Sequence, residues 1–111
     1  MKKTLIIIGI VFLLLACGEI PETFKVIYHA DVDTTGVPPT DNNQYKSGDY
    51  ATVLGKNTLQ KSGYKFDGWS TSSDYPNSGL LYDSGNQIKI KNTNILLYAV
   101  WSEMSIGIGI E

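Results

Sequence analysis

The chain has 111 residues, with nine lysines, no arginine and eleven Asp or Glu, for a formal charge of −2 at pH 7. With no basic surplus and no arginine to reach base edges, nucleic acid is not an expected partner. A single cysteine cannot close an internal disulfide, and a single histidine cannot supply a His–His metal pair or a two-histidine relay, so no metal or cofactor is expected.

Met1-Lys2-Lys3 is a short positive segment. It is followed by Thr4 to Ala16, a charge-free run of thirteen residues. A helix spanning roughly 30 Å of hydrocarbon needs about 20 apolar residues. This run is too short for that and has the length and flanks of a signal peptide. Its end, Leu14-Leu15-Ala16-Cys17, resembles the bacterial lipobox, with an aliphatic residue three before the cut, a small one just before it and cysteine after it. The resemblance implies cleavage between Ala16 and Cys17, attachment of a diacylglyceryl group to the Cys17 thiol, and acylation of the freed amine by a fatty acid such as palmitate. A thiol suits this chemistry because its thiolate is a strong soft nucleophile. One acyl chain anchors marginally, at about 0.8 kcal/mol per buried CH₂, whereas two or three hold a protein durably.

Removal of residues 1–16 leaves 95 residues, enough for one domain. Two lysines leave with the signal, so seven face eleven carboxylates, a side-chain balance of −4 that favours solubility over adhesion to anionic lipid. Residues 17–23, with Pro21 and no periodicity, read as a lipidated tether reaching about 20 Å at most.

From residue 24 the pattern is β. Phe24–Ala30 alternates and is rich in β-branched and aromatic residues, the mark of a strand. Asp31–Gln44, with Pro38, Pro39 and a cluster of Asp, Asn and Thr, is a long loop. Asp49–Leu54 is a second strand, opened by the turn Lys46-Ser47-Gly48. Gly55–Gly63 is expected to hold one helical turn, capped by Asn57 or Thr58. Tyr64–Asp67 alternates, and a bulge at Gly68 would return Trp69 to the face of Phe66. Asn77-Ser78-Gly79 and Ser84-Gly85-Asn86 mark turns. Gln87–Ile90 is a strand, Lys91–Asn94 a hairpin turn, and Ile95–Trp101 the most apolar strand, expected in the centre and buried on both faces. Residues 103–111 form a tail in which Ile106, Ile108 and Ile110 alternate with small residues, a period suited to a weak edge strand.

Leu59, Gly63-Tyr64-Lys65-Phe66-Asp67-Gly68-Trp69 and the later Leu97-Tyr98-Ala99-Val100-Trp101 carry a resemblance to the Listeria–Bacteroides repeat, the B-repeat type of internalin-like surface proteins. The likeness covers residues 24–102 in a single copy, with His29–Asp33 where the family often has an Asn-Gly turn. It implies a small β-grasp-like domain, mainly β with some α+β character, in a secreted or surface-bound protein with an adhesive or stalk role.

Catalytic constellations are weak. His29 has Asp31 nearby in sequence, but no nucleophile motif accompanies them. Asp31–Gly36 opens like a calcium loop, yet Asn42 stands where the bidentate Glu is required, so a hydrogen-bonded turn is the expected reading. Carboxylate pairs for glycoside hydrolysis lack room for a substrate cleft in so short a domain. Non-catalytic work is therefore expected.

Large rings in a small domain without disulfides usually make the core, each burying about 150–250 Å². Phe66, Trp69, Tyr98 and Trp101 are the expected core, and loss of either tryptophan ring would cost about 3–5 kcal/mol. Tyr45 and Tyr75 are the candidate exposed contacts. The resulting expectation is a lipoprotein on the exported face of a cell membrane or outer membrane, attached through Cys17. The partner classes left open are a host or envelope protein and a glycan, and the alternative is a structural envelope lipoprotein without a specific ligand.

Overall fold

The computed structural model describes residues 22–104. Leu14, Leu15, Ala16 and Cys17 of the lipobox, most of the tether, and the tail from residue 105 lie outside the described residues. Within them are six strands: β1 (Val26–His29), β2 (Tyr50–Thr52), β3 (Tyr64–Ser70), β4 (Leu81–Tyr82), β5 (Gln87–Lys89) and β6 (Ile95–Glu103). The domain is mainly β, and no helix occurs among the described residues.

Four strands form a mixed sheet in the order β1-β6-β3-β4, and β2 and β5 form a separate antiparallel ribbon. The first and last strands run parallel in the larger sheet, with Val26 beside Ile95 and His29 beside Tyr98. This parallel pairing of the first and last described strands is the β-grasp-like feature of the fold. β6 lies centrally, as its apolar composition implied, with β3 antiparallel on its other side.

The core fills the space between sheet and ribbon. Alternation sends Val26 and Tyr28 of β1, Trp69 of β3 and Leu97 of β6 inward from the sheet, against Ala51, Val53, Ile88 and Ile90 from the ribbon and its flanks. Burying an aliphatic side chain of this kind contributes about 1.5–3 kcal/mol. Between Phe66 and Gly68 the β3–β6 register shifts, so Phe66 faces Trp101 while Trp69 faces Ala99. The bulge expected at Gly68 thus brings the Trp69 ring to the face of Phe66, 5.2 Å away and edge-on.

Three local expectations differ from the structure. The stretch from Gly55 to Gly63 contains no helical turn. Asn57 adopts a left-handed conformation (φ 59°), and Gln60 instead exchanges two backbone hydrogen bonds with Thr35, at 2.9 and 3.0 Å. That bridge pins the long loop down, and it brings the chain so close at Gly36 that a Cβ there would lie 2.1 Å from the Thr58 carbonyl oxygen.

Lys91–Asn94 is not a hairpin turn. It is a crossover from ribbon to sheet, because the Asn94 side-chain oxygen accepts the Lys25 N–H (2.8 Å) and the Ile95 N–H donates to the Lys25 carbonyl (2.9 Å). Those two bonds seat β6 beside β1 rather than beside β5. The third difference is β4, two residues long, which pairs Tyr82 with Trp69 and has no periodic signal of its own.

Candidate binding surface

The surface with functional potential follows from a difference in strand length. β1 stops at His29 because the chain turns: the Asp31 carboxylate accepts the Val32 N–H (2.8 Å) and the Asp31 carbonyl accepts the Thr34 hydroxyl (2.7 Å). β6 continues to Glu103, held on its other side by β3 through Lys65–Ser102 and Tyr64–Glu103. Beyond Tyr98, then, one edge of β6 has no strand beside it among the described residues.

Strand geometry states which groups this exposes. Ile95 turns its N–H toward β1, and backbone groups alternate along a strand, so Leu97, Ala99, Trp101 and Glu103 point the same way. Ser102 and Met104 point toward β3, the Met104 N–H donating to the Gly63 carbonyl (2.9 Å). The N–H and C=O of Trp101 and Glu103 therefore face the open edge.

Two grooves border this edge. One, of about 380 Å³, is lined by His29, Asp31, Lys61, Tyr75, Tyr98 and Trp101. The other, of about 570 Å³, is lined by Leu59, Lys61, Tyr64, Phe66, Trp101 and Met104. Lys61 and Trp101 belong to both. Lys61 is fixed by an ion pair to Asp31 (2.7 Å) and lies 4.7 Å from the centre of the Tyr64 ring. Its hydrogen bond to Asp31 raises the lysine pKa above the usual value, with partial burial opposing, so the ammonium stays charged. Trp101 packs edge-on against Phe66 at 5.3 Å, and its buried indole N–H has no hydrogen-bond partner among the described residues.

The outer face of the sheet supplies the rest of the surface. His29 is exposed and stacks on Tyr98, with ring centres 5.2 Å apart. Ile27 and Leu96 are cross-strand neighbours on the same face and are 37% and 40% exposed, forming an apolar step beside the stack.

Of the four rings expected in the core, Trp69 is fully buried, while Phe66 and Trp101 are half-buried against the core's rim. Tyr98 is not in the core. It lies one residue out of phase with Leu97 and Ala99, on the outer face, because β6 belongs to a sheet that the ribbon covers on one side only. Tyr45, expected as an exposed contact, packs against the core and donates its hydroxyl to Asp41 (2.7 Å). Tyr75 does line a groove. Tyr50 is 60% exposed on β2, on the face opposite the buried Ala51. Asp31 makes a hydrogen-bonded turn and an ion pair, and among the described residues no group of three or more His, Cys, Asp or Glu is placed to hold a metal.

The sequence model of the Listeria-Bacteroides repeat domain matches residues 24–100, nearly the whole of this folded unit. The chain belongs to that family. Two proteins of Evansella cellulosilytica are similar to the repeat: one called "Putative membrane protein", 35% identical over 72 residues, and one called "Putative Gly-rich membrane protein", 35% identical over 71 residues. The matches cover 65% and 64% of this chain but only 10% and 8% of those proteins, so the chain spans about a tenth of the curated relatives it matches. No solved structure matches.

The buried tyrosines give the repeat domain a defined response to alkali. Burial raises the pKa of Tyr28 above 10.0, with the Leu54 N–H that its oxygen accepts working in the opposite direction. Burial also raises Tyr45, aided by the Asp41 carboxylate. A folded-state pKa above the unfolded one contributes stability that is present below the unfolded value and lost as pH rises through the folded value. The domain is therefore expected to hold its stability up to about pH 10, the ordinary tyrosine value, and to lose it above. A denaturant series read by tyrosinate absorbance and tryptophan fluorescence checks this, and Tyr28→Phe should flatten the alkaline limb.

Proposed function

We propose that this chain is a lipoprotein, cut before Cys17 and anchored by lipid on that residue, which presents a non-catalytic repeat domain for protein binding or adhesion on the exported face of a cell membrane or outer membrane. The observation that carries the anchor is the run Leu14-Leu15-Ala16-Cys17, which puts the chain's one cysteine at the lipobox position, seven residues before the repeat begins. The names of the two Evansella cellulosilytica relatives agree with a place at a membrane. The short tether keeps the domain close to the lipid surface.

Binding is favoured over a purely structural role by the outer face. A contiguous apolar step beside an aromatic stack is the kind of surface that a partner covers. Catalysis is disfavoured because His29, the one histidine of the sequence, stacks on Tyr98 in the smaller groove and Asp31, which lines the same groove, is committed to Lys61.

Protease added to intact cells tests the reading. The repeat domain should be digested from outside while a cytoplasmic control survives, and a Leu96→Asp variant should remain anchored but lose retention of surface partners. Full protection from protease would contradict presentation on the exported face, and unchanged retention in the variant would favour the structural alternative.

A further inference from the structure

We propose that the end of the repeat domain where the tether enters lies on the membrane, its lysines against the headgroups of anionic phospholipid. The proposal deepens the anchor reading and rests on it, since a domain is oriented at a membrane only once it is held there.

The backbone gathers this end from three separate segments. Phe24, the first residue beyond the tether, exchanges two backbone hydrogen bonds with Tyr45, at 2.7 and 2.8 Å. The Gly48 N–H donates to the Ile90 carbonyl (2.7 Å), and the Ile90 N–H donates to the Asp49 carbonyl (2.8 Å). Together with the bonds between Lys25 and the crossover, these join residues 22–25, 45–49 and 89–94 into one end of the molecule.

Charge is divided unevenly between this end and the rest. The three segments hold Lys25, Lys46, Lys89 and Lys91 against Glu22 and Asp49, whereas the other described residues hold three lysines and seven Asp or Glu. The balance is therefore +2 at the tether end and −4 elsewhere. All four lysines are exposed, and none of them forms an ion pair among the described residues. The Asp49 carboxylate is turned back to accept the Lys46 N–H (2.8 Å). Tyr50, the exposed cross-strand partner of Lys89, adds an amphipathic ring of the kind that sits well at headgroup level.

Net charge alone would keep the domain off an anionic surface. Screening changes this, because at physiological salt each charge acts over about 8 Å, so the end nearest the lipid decides the orientation. The tether selects that end: it enters beside Lys25 and reaches about 20 Å at most. The opposite end, where Asp67 accepts the Ser102 hydroxyl and Glu103 closes β6, is acidic and would be repelled. With the basic end down, His29 and Tyr98 stand about 10 Å further along β1 and β6, so the aromatic stack stays open to a partner.

The test couples the full chain through Cys17, the one cysteine of its sequence, to a maleimide-bearing lipid in vesicles. The vesicles are phosphatidylcholine, with or without phosphatidylglycerol, and a water-soluble amine-acylating reagent reports each lysine by peptide mass. Lys25, Lys46, Lys89 and Lys91 are expected to react at least about threefold more slowly with phosphatidylglycerol, while Lys56, Lys61 and Lys65 keep their rates. Raised salt should remove the difference. Lys46→Gln combined with Lys91→Gln should lose the protection at Lys25 and Lys89, and Lys56→Gln should leave it unchanged.

Equal rates in the two kinds of vesicle would overturn the proposal. Equal slowing of all seven described lysines would do so too, by showing adsorption without orientation. Slowing that grows with protein density would assign this end to a second copy, and slowing lost on removal of residues 105–111 would assign it to the chain's own tail; either result overturns the proposal. Chemical coupling stands in for cellular lipidation here, so labelling at Cys17 in cells decides the anchor reading separately.

Discussion

Replacing Trp69 by alanine is expected to destabilise the repeat domain by about 3–5 kcal/mol, the usual consequence of emptying a large aromatic site. The ring is completely buried and joins the parts of the fold that are otherwise separate. Its indole N–H donates to the Leu54 carbonyl (2.9 Å) just beyond β2, while its faces and edges meet Tyr28 of β1 at 4.8 Å and Phe66 of β3 at 5.2 Å. Removal empties the middle of the core and leaves a carbonyl without its donor. Against a total stability of about 5–15 kcal/mol for native domains, the variant would be marginal at best. Trp101→Ala should cost less, about 1–3 kcal/mol, because that ring is half-buried and its N–H makes no bond among the described residues. Denaturant midpoints for the two variants check the ordering. Equal losses would show that Trp101 carries more of the core than its position indicates.

Gly68→Ala is expected to have the second-largest effect, a loss of about 2–4 kcal/mol that combines backbone strain with a steric clash. Gly68 has φ 141°, where side chains are disfavoured, and a Cβ there would stand 2.6 Å from the Tyr82 carbonyl oxygen. That oxygen belongs to β4, so relief requires β4 to move away from β3. The same glycine closes the bulge that puts Trp69 inward, and a displaced bulge would loosen the indole. Circular dichroism at the aromatic bands should fall together with the denaturant midpoint. A variant of native stability would mean that β4 yields freely and contributes little.

The sequence marks individual strands better than it marks their partners. Alternation around Val26, Tyr28, Ala51 and Ile88 reports which residues turn inward, because that is a property of one strand. The Gly68 bulge is legible for the same reason: Phe66 and Trp69 are out of phase unless one residue is added between them. Pairing is a tertiary choice. Nothing local to Lys91–Asn94 distinguishes a hairpin from a crossover, and the bonds that decide it come from Lys25, about seventy residues earlier. Asn57 and Gly63 suit a helix cap or a tight turn equally, and the bridge from Thr35 to Gln60 selects the turn.

The candidate surface was legible only in part. Aromatic content pointed to Tyr98 without telling its face, since an apolar run such as Ile95–Trp101 reads as buried on both sides whether or not a second layer exists to cover it. The open edge of β6 was implicit in the contrast between a four-residue first strand and a nine-residue last one, but it becomes visible only once the two are known to be neighbours. The proposed anchor is argued from sequence alone, through four consecutive residues from Leu14 to Cys17.

Metabolic fatty-acid labelling of the chain and its Cys17→Ser variant, followed by the mass of the mature N-terminus, decides whether the protein is lipid-anchored. Expected are a lipid-labelled product that begins at Cys17 and partitions with membranes, and an unlabelled Cys17→Ser chain that is either an uncleaved precursor or released from the membrane. Labelling that persists in the variant, or a mature chain that begins elsewhere and carries no lipid, would contradict the anchor.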